Sequence, residues 1–101
     1  MRMMVEIDFP IEPFNQMIKD GTANEAMQKA FTEIKPEAVY FRERRGLRAC
    51  TMVVDVTEAS QMPKIAEPFF LMFNAMVDFE PVMTPEDLAK SGLDELGKKY
   101  A

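Results

Sequence analysis

The chain has no histidine and no tryptophan, a single cysteine, and only four glycines in 101 residues. The missing histidine removes the side chain that most often moves protons near neutral pH, and with it His-ligated haem and the commonest zinc sites. The one cysteine, Cys50, cannot close an internal disulfide. Cations are short as well: 12 Lys and Arg stand against 17 Asp and Glu, a net charge of −5. Such a molecule repels nucleic acid and anionic membrane surfaces, so neither is an expected partner. No apolar run nears the roughly 20 residues of a membrane span, and no secretory leader is recognisable. A cytoplasmic protein is therefore the expectation. No catalytic motif, internal repeat, low-complexity stretch or linker stands out, and neither a metal nor a cofactor is expected.

What is present fits one α+β domain over residues 1–101, with a core over about 1–82 and a C-terminal helix over about 85–98. Hydrophobic residues make up 48%, ordinary for a globular chain of a length that supports one modest core. Ten methionines suit an adaptable core or a forgiving interface.

The most informative stretch is Pro36–Val56, PEAVYFRERRGLRACTMVVDV. It reads as two strands joined at Arg45-Gly46, because glycine reaches positive φ without a Cβ clash. A two-residue loop sets Arg44 opposite Leu47, Glu43 opposite Arg48, Arg42 opposite Ala49, Phe41 opposite Cys50, Tyr40 opposite Thr51 and Val39 opposite Met52. Alternation then gathers Val39, Phe41, Cys50, Met52 and Val54 on one face. The other carries Ala38, Tyr40, Arg42, Ala49, Thr51, Val53 and Asp55. A slip of one residue would set apolar against polar groups, so the register is self-consistent. Cys50 falls on the apolar face and is expected to be an inert, buried thiol. Glu43 and Arg48 are expected to form a cross-strand ion pair. Arg42, Arg44, Arg45 and Arg48 are four of the chain's five arginines. Exposed, they keep a hairpin tip soluble; gathered, they suit a carboxylate or phosphate.

Around this hairpin, Arg2–Phe9 alternates with period two and reads as the first strand. Ile11–Asp20 reads as a short helix ended by Gly21. Ala23–Lys35 reads as a second helix, capped by Thr22 or Asn24, with Met27, Ala30, Phe31 and Ile34 on one side. Met62, Ile65, Ala66, Phe69 and Phe73 form the stripe of a third helix, capped by Thr57 or Ser60, kinked near Ala66–Pro68 and ended by Asn74. Met76–Val82 reads as the fourth strand. Thr84-Pro85-Glu86-Asp87 opens a terminal helix, Pro85–Lys98, that Gly92 bends or splits.

Strand, helix, strand, strand, helix, strand is the βαββαβ order of the ferredoxin-like arrangement, an antiparallel sheet with its helices on one face. That arrangement makes the first strand central, between the third and fourth, with the second at an edge. Met3, Val5, Ile7, Val39, Phe41, Cys50, Met52, Val54, Val77 and Phe79 then face the helices. With this order, the segments PEAVYF, VVDV and EPVMTPEDL resemble the dimeric α+β barrel superfamily, and a bacterial branch within it, over about residues 1–82. The superfamily includes small antibiotic-biosynthesis-type monooxygenases and muconolactone isomerase-like proteins. The resemblance implies a homodimer whose two sheets face each other and enclose a cavity. No superfamily catalytic residue maps onto a numbered position.

The second sheet face would carry Met4, Glu6, Asp8, Tyr40, Arg42, Ala49, Thr51, Val53, Asp55, Met76, Asp78 and Glu80. It is too apolar for a solvent face and too charged for a dry core, and no helix remains in the topology to cover it. The expected function is small-molecule binding by a homodimer, in a polar cavity between the sheets. Tyr40, Arg42 and Thr51 are the polar handles, with Glu6 and Asp78 as a carboxylate pair on neighbouring strands. Arg42 is expected to face an acid in that cavity, of its own chain or the partner's. The alternative is a cofactor-independent enzyme of monooxygenase or isomerase type, with Tyr40 orienting substrate and a carboxylate as base. RNA binding ranks last, since Leu47–Val53 lacks the aromatic, basic motif of RNA-binding sheets. The terminal helix is expected to embrace the partner.

Overall fold

Arg45 and Gly46 take φ of 54° and 76° in the computed structural model, which describes all 101 residues. Two successive positive φ values make the tight turn whose twist matches that of paired strands. The turn sets β2 (Ala38–Arg44) on β3 (Leu47–Asp55) in the register expected from the sequence, from Arg44 opposite Leu47 to Ala38 opposite Val53. Strand β1 (Arg2–Asp8) lies antiparallel to β3 on its other side, and β4 (Met76–Pro81) lies antiparallel to β1. The result is an α+β fold with a four-stranded antiparallel sheet of order β2-β3-β1-β4, compatible with the ferredoxin-like arrangement.

Helices α1 (Ile11–Asp20), α2 (Ala23–Ile34) and α3 (Met62–Phe73) complete the body, with a single 3₁₀ turn at Ala59–Gln61 leading into α3. Alternation sends Met3, Val5, Ile7, Cys50, Met52 and Val54 into the core against Met27 and Ala30 of α2 and Ile65, Phe69 and Phe73 of α3. The Phe9 ring stands edge-on to Phe14 and Phe73, at centroid distances of 5.0 and 5.3 Å. This geometry adds to what area burial alone contributes. Gly21 and Asn74 end α1 and α3 in the left-handed conformation.

Several details depart from the sequence reading. Phe41 lies on the helix-facing side yet stays 60% exposed, because β2 is the sheet edge. Its one aromatic neighbour is Phe31, at 6.0 Å. No Glu43–Arg48 ion pair forms; the Arg48 guanidinium lies over the Phe14 ring instead, 4.8 Å from its centroid. The Thr22 hydroxyl donates back to the Met17 carbonyl of α1 rather than capping α2. At the entrance to α3, the side-chain oxygen of Gln61 accepts from the Thr57 and Glu58 N–H groups, in place of a Thr57 or Ser60 cap. Helix α3 runs through Pro68 without a break.

The terminal helix is split in two, α4 (Pro85–Ala89) and α5 (Leu93–Lys99), with Gly92 at φ 78° between them. Thr84 and Asp87 cap α4 reciprocally, each side chain accepting from the other's N–H at 3.1 and 3.0 Å. Those bonds hold the Asp87 carboxyl below its usual range. Every residue from Pro85 onward is exposed. The radius of gyration is 17.2 Å, against about 13 Å for a compact chain of this length. The terminal segment therefore projects from the body as an arm.

Burial, with a smaller contribution from the charge of Glu6, pushes the Cys50 thiol from 9.0 up to about 11. The fold holds the thiol form, whereas an unfolded chain releases the proton near the ordinary value. The contribution to stability is therefore complete below about pH 9 and is lost as pH rises through about 11. Native protein at pH 8 is expected to react with a thiol reagent no faster than it unfolds. Stability should decline between pH 9 and 11 more steeply than in Cys50→Ala, by chemical denaturation at stepped pH. Rapid stoichiometric labelling of the native protein would contradict the hairpin register.

Candidate functional site on the open sheet face

The face opposite the helices is assembled from the even-numbered residues of β1, β2 and β4 and the odd-numbered residues of β3, as the pleat requires. Register brings Tyr40, Thr51, Glu6 and Asp78 into one row across all four strands. The next row is Arg42, Ala49, Asp8 and Met76, and the row beyond Glu6 on the other side is Ala38, Val53, Met4 and Glu80. All five residues singled out from the sequence thus lie within two adjacent rows.

Glu6 is the hub. Its carboxylate accepts from the Thr51 hydroxyl at 2.9 Å and from the guanidinium groups of Arg42 at 2.9 Å and Arg44 at 3.3 Å. Arg44 also grips Asp8 with two nitrogens, at 3.1 and 2.7 Å. Such a two-pronged bond is geometrically more specific than a single contact. That bond, with the nearby charges of Asp8, Glu6 and Asp78, raises the Arg44 pKa further above its ordinary value. Ala49 makes the arrangement sterically feasible. It lies between β2 and β1 in the row of Arg42 and Asp8, and its methyl group lets arginine side chains cross β3 to reach the acids. Ala49 is buried under them.

The expected pairing of Arg42 with an acid is thus an intrachain bond to Glu6. The Arg42 side chain is 47% exposed and that of Glu6 only 13%. Tyr40 is 71% exposed, and neither its hydroxyl nor the Asp78 carboxylate has a side-chain hydrogen-bond partner. Asp78 stands opposite Glu6 across the β1–β4 ladder. Arg44 is the residue that sequence reasoning missed. It follows Ala38, Tyr40 and Arg42 on the same face by strict alternation, but its place beside the turn suggested a solvated tip. No three Cys, Asp or Glu side chains converge as a metal site.

The network divides the face chemically. Arg42, Arg44, Glu6, Asp8 and Thr51 satisfy one another. The Tyr40 hydroxyl and the carboxylates of the β4 acids Asp78 and Glu80 have no side-chain hydrogen-bond partner. The difference is measurable. Thr51→Val deletes a hydroxyl bonded to a largely buried carboxylate and is expected to lower stability by about 1–2 kcal/mol. Tyr40→Phe deletes a hydroxyl without a protein partner and should stay within about 0.5 kcal/mol of the parent. Urea denaturation of the two variants checks the order; equal losses would contradict this hydrogen-bond geometry.

No family model and no curated protein matches the sequence. In three-dimensional structure the chain is similar to the solved "De novo designed protein Ferredog-Diesel", with a TM-score of 0.48 and 14% sequence identity over 80% of this chain and 85% of that one.

Proposed function

We propose that the protein is a homodimer of the dimeric α+β barrel kind, whose two open sheet faces meet and enclose a cavity that binds a small polar molecule. The observation that carries this reading is the row Tyr40, Thr51, Glu6 and Asp78, with no element of the chain above it. A satisfied ionic network forms its floor. Exposed Met76 and the half-buried Met4 and Val53 on the same face supply the apolar area an interface needs. Within the cavity, Tyr40 and Asp78 are the groups with bonding capacity to spare, and Arg42 is the cation nearest to the open space. A ligand with a hydroxyl or amino group opposite Asp78 and a polar group near Tyr40 matches that placement.

The enzymatic alternative draws on the carboxylates of Glu6 and Asp78 facing each other across two strands. Glu6 is engaged by Thr51, Arg42 and Arg44, which suits it to positioning rather than to proton transfer. Asp78 is the carboxylate free to act as a base. Binding is the better supported reading, because one carboxylate of the pair, Glu6, is already engaged by Thr51, Arg42 and Arg44.

Light scattering at micromolar concentration is expected to give a dimer, and Met76→Asp to give a monomer. With the partner's sheet covering it, loss of Arg42 leaves two carboxylates, Glu6 and Asp8, sharing the single guanidinium of Arg44 in a desolvated seam. Arg42→Met should then cost about 3 kcal/mol or more. A loss below about 1 kcal/mol with the dimer intact is the signature of a solvated edge and would overturn the cavity. A thermal-shift screen of small polar metabolites identifies the ligand class. Any shift it finds should vanish in Tyr40→Phe or Asp78→Asn.

A further inference from the structure

Two departures from the sequence reading meet in one place. Phe41, on the helix-facing side of edge strand β2, stays 60% exposed. Arg48, opposite Glu43 on β3, takes the Phe14 ring in place of that acid. The charged side chains that are half-buried are Arg2, Glu6, Asp8, Arg44 and Arg48. The first four are held in ion pairs, whereas Arg48 has no carboxylate within ion-pair distance. A partly desolvated cation without an anion carries a free-energy cost, and this one stands in a protein of net charge −5.

Arg48 and Phe41 line an open cleft of about 540 Å³, with Phe9 and Phe14 as further aromatic walls and Glu43 beside them. That volume is within the range of small-molecule sites. The walls are braced. Phe9 is buried, and its N–H donates to the Arg48 carbonyl at 3.0 Å. Phe14 stands edge-on to Phe9. The Arg48 guanidinium lies over the Phe14 ring, which leaves the N–H donors around its rim to address an anion. Phe41 pairs with Cys50, so it is the diagonal neighbour of Arg48 on the same face. Diagonal neighbours stand about 7–8 Å apart, room for one ring against Phe41 with an anionic group at Arg48. The geometry points to a second binding site here, for a small aromatic monocarboxylate. Its ring packs among Phe9, Phe14 and Phe41, and its carboxylate accepts two N–H groups from Arg48. Glu43, across the ladder from Arg48, repels a second negative charge and so disfavours a phosphate dianion. The cleft opens on the helix side of the sheet, opposite the cavity proposed above, and needs no partner chain.

The test titrates the full chain with phenylacetate, read by calorimetry and by heteronuclear NMR of the Arg48 Nε–H and the Phe41 amide. One molecule per chain is expected to bind and to move both signals. Acetate, which lacks the ring, and benzylamine, which carries the opposite charge, should bind at least tenfold more weakly, and phenyl phosphate more weakly than phenylacetate. Arg48→Gln should weaken phenylacetate at least tenfold, and Arg48→Lys, which keeps the charge but not the planar fork, by less. Glu43→Gln should tighten it. Phe41→Ala removes an exposed edge side chain and should weaken binding while leaving the thermal midpoint close to that of the parent. Tyr40→Phe and Asp78→Asn, on the other face, should bind phenylacetate like the parent. Binding lost in those two and kept in Arg48→Gln places the ligand in the sheet-face cavity and overturns the second site. An Arg48 Nε–H signal that stays fixed in tens of millimolar phenylacetate, or acetate binding as tightly as phenylacetate, overturns it as well, and neither result bears on the sheet-face dimer.

Discussion

Everything on the open face depends on the alternation of one strand. In β1, Val5, Ile7 and Met3 point into the core while Met4, Glu6 and Asp8 point the other way. Core and ionic network are therefore two sides of the same seven residues. The hydrophobic side fixes the register of β1 between β3 and β4, since a slip of one residue would exchange the faces. The acids inherit that register and need no separate device to hold them opposite Thr51 and Ala49. Arg42 and Arg44 then reach the acids from the next strand but one. They can do so because the intervening position is alanine rather than something bulkier.

Much of this was legible in the sequence, for a physical reason. The turn Arg45-Gly46 has few ways to fold, and once its length is set every pairing of β2 with β3 follows by counting. The strand order and the face assignments followed from alternation and the βαββαβ order. The failures lie where side chains choose between partners. Arg48 had Glu43 across the ladder but took the Phe14 ring, a contact that depends on how α1 sits over the sheet. Neither Thr57 nor Ser60 caps α3; the Gln61 side chain reaches back to the Thr57 and Glu58 N–H groups and closes the 3₁₀ turn ahead of the helix. Arg44 was hidden by its position next to the turn, although parity placed it. Identifying the acid that binds Arg42 required the β1–β3 register, which no local pattern supplies.

The charge pattern of the face has a direction. Cations come from β2 and are matched by the acids of β1, so that half of the sheet is close to neutral. The acids of β4 are unmatched. An acidic protein of net charge −5 thus concentrates part of its excess along one exposed edge, where a ligand or another chain can neutralise it. Elsewhere its charges are dispersed over helix surfaces, where they contribute mainly to solubility.

Strand β1 also has neighbours on both sides, so its backbone is braced by ladders on either flank. Glu6 and Asp8 ride on this central strand of the sheet, not on a loop. Their carboxylate oxygens are in effect fixed dipole partners whose positions are settled when the chain folds. A molecule bound over the row, as proposed, would meet an electrostatic field that is already in place, and little of its interaction energy would go into rearranging the floor beneath it. Adaptation is left to Tyr40 at one rim and Asp78 at the other, so differences between ligands would be registered at the two edges of the sheet and not at its centre.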